Sequence, residues 1–71
     1  MSAEAIALRM VQEAIHAARV GDTDLLTALL DGGVPIDIQS RAGDSLVMLA
    51  SNHGHHGTVR ELLGRGANPS H

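Results

Sequence analysis

The sequence predicts an all-α stack of helix-turn-helix repeat units, a short piece of α-solenoid, and three observations carry that prediction. Gly21 and Gly54 stand 33 residues apart, Gly33 and Gly66 keep the same offset, and so do the pairs Leu29-Leu30 and Leu62-Leu63. One structural unit is therefore written twice. A unit of this length cannot bury its own apolar face and becomes stable by stacking on neighbours, about three or more being usual. Two copies fall short of that number, so the array is expected to be short and its ends consequential. With 71 residues, a chain buries only about 60% of its unfolded surface on folding, which makes residues 1–71 a single domain.

The first helix is expected over Ser2 to Val20. Ile6, Met10, Ala14, Ala17 and Ala18 recur at helical spacing, and Leu8, Val11 and Ile15 widen the stripe. Ser2 suits the N-cap, Glu4 the positive end of the helix dipole, and Gly21 the left-handed residue that closes the helix. Asp22 then caps a second helix whose stripe is Leu25, Leu26, Leu29 and Leu30 and whose stop is Gly32-Gly33. In Val34-Pro35-Ile36-Asp37-Ile38 the proline forbids a helix and the branched residues favour extended chain. The segment runs into a polar turn, Gln39 to Asp44, and reads as an extended finger, not a sheet strand. Ser45 caps a third helix, Leu46 to Asn52; His53-Gly54 turns the chain into a fourth, His56 to Gly64, and Gly66 ends the unit.

Composition limits the core and the function classes. No Phe, Tyr or Trp is present, so the core must be made of Leu, Ile, Val, Met and Ala, and zero cysteines removes disulfides and thiolate metal sites. The net charge is −3 and the five basic residues are all Arg, with no basic stripe to neutralise phosphates, so nucleic acid is not an expected ligand. No run of 18 apolar residues occurs, and the N-terminus lacks the pattern of a secretory signal. The expectation is a cytoplasmic protein without a membrane partner.

At this resolution the residues resemble the ankyrin repeat, whose unit of about 33 residues opens with Gly-x-Thr-Pro-Leu-His-x-Ala-Ala. Here that run is Gly43-Asp44-Ser45-Leu46-Val47-Met48-Leu49-Ala50-Ser51. Gly54-His55 matches the family's turn, Val59-Arg60-Glu61-Leu62-Leu63 its second helix, and Gly66-Ala67-Asn68-Pro69-Ser70 its loop. The first unit keeps the later half of the pattern from Ala17 to Val34. Its lengthened opening helix, with Arg9, Gln12 and Glu13, looks like the polar side of an N-terminal capping repeat. The resemblance thus divides the chain into a capping repeat at 1–38 and a second repeat at 39–71. Leu46 stands where the family has a helix-opening proline and Met48 where it has a histidine. Gly57 and Gly64 add about 0.5 to 1 kcal/mol each of helix cost.

No C-terminal cap is recognisable after the second unit, so its apolar flank, expected to comprise Leu49, Val59 and Leu62, has no neighbour within the sequence. Either the chain is part of a longer array or copies of it associate, and a twofold homodimer closes such a patch with one self-complementary surface.

Candidate chemistry is sparse. The run Asn52-His53-Gly54-His55-His56 offers imidazoles, but a helix ends and restarts within it, which is not metal-ligand spacing, and the resemblance gives His55 a structural place in the turn. His71 joins such a cluster only in an adventitious contact between chains. His16 reads as a packed or rim residue. Ser45, His53 and Asp44 supply triad residue types, yet Ser45 is already explained as a cap. Asp22, Asp24, Asp31 and Asp37 show no paired spacing, and the glycines follow helices where a phosphate cradle precedes one. No catalysis, metal, cofactor or small-molecule substrate is expected.

What remains is recognition by surface. The resemblance implies a non-catalytic protein interaction module whose loop tips and concave helix face bind the partner. Carried over by position, that face comprises Arg19, Val20, Gln39, Arg41, Ala42, Asp44, Asn52 and His53. The alternative is a shortened repeat pair whose main property is self-assembly into a homo-oligomer through its open flank.

Overall fold

The computed structural model describes residues 2–68, and among them it holds four α-helices and no strand: α1 (Ala3–Val20), α2 (Thr23–Asp31), α3 (Leu46–Asn52) and α4 (His56–Gly64). Pro69 and Ser70 of the second loop, and His71, lie outside the described residues.

Local chemistry sets the helix ends. The Ser2 hydroxyl accepts from the Ala5 amide, the Asp22 carboxylate from Leu25 and the Ser45 hydroxyl from Met48. Each bond satisfies one of the orphan amides of a first turn and contributes about 1 kcal/mol. Gly21 closes α1 at φ +77°, in the left-handed region that glycine enters without steric cost, and its equivalent Gly54 turns the chain at +76°.

Each unit is an antiparallel hairpin, α1 with α2 and α3 with α4. The hairpins stack through the inner pair α1–α3 and, more sparingly, the outer pair α2–α4. The buried residues of α1 are all alanines, Ala14, Ala17 and Ala18, which lets two neighbouring helices approach closely. Leu26, Leu46 and Leu62 are the large, fully buried apolar side chains, each contributing about 1.5–3 kcal/mol of burial. The finger is rooted in the same core by buried Val34 and half-buried Ile36 and Ile38. Its tip is a tight turn in which the Ser40 amide donates to the Asp44 carbonyl and Gly43 donates to Ser40. Gln39 and Ser45 form an isolated antiparallel bridge beneath it.

Two expectations require correction. The apolar stripe of α1 is buried only from Met10 onward: Ile6 is 47% and Leu8 59% exposed, because the first turns extend past neighbours only seven and nine residues long. His16 is exposed, which leaves the rim alternative of its two readings. Leu49 (3% exposed) and Leu62 (0%) are not an open flank but part of the internal core. Leu49 shares the inward side of α3 with Leu46, Val47 and Ala50, and Leu62 sits one turn from buried Thr58 on α4. Of the three flank residues only Val59 is half-buried, with Leu63 (41% exposed) one turn beyond it.

Candidate interaction surface

Gln12, Ile15 and Arg19 fall on one face of α1, at spacings of three and four, and the fingertip residues Ser40, Arg41 and Ala42 stand opposite them. Together the two rows line an open-sided groove of about 340 Å³. Half-buried Ile15 forms part of an apolar floor, and the exposed Arg19 and Arg41 guanidiniums rise from separate walls. Among the described residues no carboxylate lines this groove and the ion pairs all belong to Arg65, so neither groove arginine has one there.

Of the residues carried over by position, Arg19, Arg41 and Ala42 are thus brought together. Val20, Gln39, Asp44, Asn52 and His53 do not line the groove. Asp44 is half-buried at the base of the turn, where its amide donates to the Ser40 hydroxyl. The ring of His53 turns back on its own helix: Nδ1 donates to the Leu49 carbonyl at 2.8 Å, and the ring stacks on His55 with centroids 6.3 Å apart. Gln12, Ile15 and Ser40 were missed. The spacing of Gln12, Ile15 and Arg19 put them on one side of α1, but nothing in the sequence says that the fingertip faces that side.

A seam of side-chain bonds joins the two units behind the groove. His55 Nε2 donates to the Arg19 carbonyl at 2.8 Å, tying the second unit's turn to the end of α1. The approach is close enough that a Cβ on Gly21 would lie 2.5–2.9 Å from the His55 ring. Thr23 and Thr58 share a hydroxyl hydrogen bond of 2.7 Å, and Arg65 pairs with Asp31 across the units at 2.8 Å and with Glu61 on its own helix at 3.1 Å. Hydrogen bonds from Arg65 to Asp31, then to Glu61, raise the guanidinium above its ordinary pKa. A raised pKa stabilises the fold below the unfolded value and is lost only in strong alkali, so this exposed cluster responds to salt and not to Arg65 titration. A second, smaller apolar groove of about 190 Å³ runs between Ala7, Met10 and Val11 of α1 and the Gly32–Pro35 segment.

No group of three His, Cys, Asp or Glu side chains among the described residues is placed to hold a metal ion, and no described helix is long and apolar enough to cross a membrane. The ankyrin repeat family model matches residues 42–71. An ankyrin repeat protein of Pseudomonas aeruginosa is 47% identical over 53 residues, covering 69% of this chain and 31% of that protein. A rabbit (Oryctolagus cuniculus) protein with ankyrin repeat, SAM and basic leucine zipper domains is 43% identical over 54 residues, covering 76% of the chain and 11% of its own length. The ankyrin repeat domain-containing protein 29 of Danio rerio is 44% identical over 52 residues, covering 72% and 17% respectively. The chain therefore spans less than a third of the length of these relatives. No solved structure matches it significantly.

Proposed function

The chain belongs to the ankyrin repeat family, and from that premise we propose that it is a non-catalytic protein interaction module whose partner docks on the α1–finger face. The observation that carries the reading is the convergence of Arg19, Arg41 and Ala42 on one groove whose charged groups make no ion pair among the described residues. Such a groove presents fixed donors and an apolar floor, the combination by which a protein surface selects a partner. Its small area implies weak binding unless further repeats extend it. A photo-crosslinking residue at Ala42 is expected to capture a protein partner in cells of origin, while the same residue at exposed Arg60 on α4 is not. Equal capture at both positions would overturn this placement of the binding face.

A second reading, self-assembly into a homo-oligomer, retains one supporting observation: Val59 and Leu63 lie one turn apart on α4 and keep apolar surface outside the core. Sedimentation velocity tests it, with Leu63→Lys expected to shift any dimer to monomer; a monomer at high micromolar concentration removes the reading.

A further inference from the structure

We infer that the α1–finger groove is specific for acidic segments, taking an extended peptide that carries an aspartate or glutamate beside an aliphatic residue. The inference rests on the reading that this face binds protein, and names the chemistry it selects. The chain as a whole is acidic, with eight carboxylates against five arginines, so an average patch of its surface repels a negative partner. The groove departs from that average. Two of the five arginines reach it from different elements, Arg19 from α1 and Arg41 from the fingertip, and no carboxylate of the described residues lines it. Glu13 neighbours it on α1 and Asp44 closes the fingertip turn, yet neither contributes to the lining.

Placement adds selectivity to charge. A guanidinium presents a planar fork of donors that matches a carboxylate edge-on. The Gln12 amide and Ser40 hydroxyl add neutral donors along the rims, while Ile15 and Ala42 offer apolar surface between them. A peptide with one carboxylate at each wall and an aliphatic side chain on Ile15 uses all of these. A polyphosphate leaves the apolar floor unused, and two cations are few for a nucleic acid backbone. Each wall is also held at its own base without a ligand: the Arg19 carbonyl is bonded to His55, and the fingertip turn is closed by its own hydrogen bonds.

The test is to pan a library of random ten-residue peptides on the 71-residue chain and, in parallel, on its Arg41→Glu variant. Arg41 is exposed and makes no ion pair among the described residues, and circular dichroism checks that the variant keeps its helicity; Arg19→Gln, which keeps the backbone carbonyl, serves as a second variant. Enrichment of Asp or Glu next to Leu, Ile or Val is expected on the parent chain and not on Arg41→Glu. The enriched peptides, labelled for fluorescence anisotropy, are expected to bind about five- to tenfold more weakly to either variant, to lose affinity with salt, and to bind the Arg60→Glu control unchanged. Peptides enriched without acidic bias, or binding both variants as well as the parent, overturn the inference while leaving the protein-binding reading intact. No enrichment on any chain removes that reading too. Two further results overturn it in favour of another occupant: an oligonucleotide displacing the peptide better than a polyglutamate does, or a dimer of the parent chain that Arg41→Glu dissociates.

Discussion

Asp22 and His55 occupy the same position in the two units, 33 residues apart, each the N-cap of the outer helix after a left-handed glycine, and they do opposite things. Asp22 bonds the amide of Leu25 and so serves its own helix. His55 makes no side-chain cap bond, and its ring instead reaches the carbonyl of Arg19 in the preceding unit. The preceding glycines differ to match: a Cβ at Gly54 meets nothing, while a Cβ at Gly21 runs into the His55 ring. Repetition thus copies the backbone and leaves the cap position free to secure either a helix or a neighbour. In this chain the second unit gives up a cap to join the stack.

The comparison breaks most severely if the shared core is removed. Leu62→Ala, at a fully buried site, is expected to cost about 2–5 kcal/mol, enough in so small a domain to abolish the cooperative thermal transition seen by circular dichroism. The next effect separates the two glycines. Gly54→Ala is expected to cost only the left-handed backbone strain of about 1–2 kcal/mol, and Gly21→Ala more, because the His55 ring must also move. Urea denaturation of the double variant Gly21→Ala/His55→Ala sharpens the point: measured against His55→Ala alone, Gly21→Ala should cost no more than Gly54→Ala does in the parent, and a persisting excess would assign the clash elsewhere.

His55→Ala and Asp22→Ala are each expected to cost about 1 kcal/mol, by different routes. Nuclear magnetic resonance should show loss of protection confined to the start of α2 for Asp22→Ala, and shifts on both sides of the seam, Arg19 included, for His55→Ala. The smallest effect belongs to Arg65→Gln. Its ion pairs are solvent-exposed, so the stability difference from the parent should shrink further as salt rises, and a difference independent of salt would contradict a Coulombic origin.

Much of this fold was legible because helix ends are written locally. Ser2, Asp22 and Ser45 cap where the sequence puts them, and Gly21, Gly33, Gly54 and Gly66 all have positive φ. Burial was less legible. Periodicity identifies the apolar side of α1 without telling how far its neighbours reach, so Ile6 and Leu8 looked interior, and Leu49 and Leu62 looked peripheral because the inward side of a short helix depends on its partner's position. The groove was half legible. Arg19, Arg41 and Ala42 followed from the repeat pattern, but Gln12, Ile15 and Ser40 enter through the long-range approach of α1 and the fingertip, and the turn imidazole of His53, bonded to Leu49, had no signal separating it from a surface contact.

Arg19 belongs to both structures described above, its carbonyl held in the seam and its guanidinium standing in the groove. On the proposed binding face, binding and folding are thereby thermodynamically linked at one residue. A guest that needs the guanidinium where the seam holds it must raise the melting temperature of the whole stack, and a lesion in the turn must lower the guest's affinity by the same coupling, though no atom of His55 lines the guest's cavity.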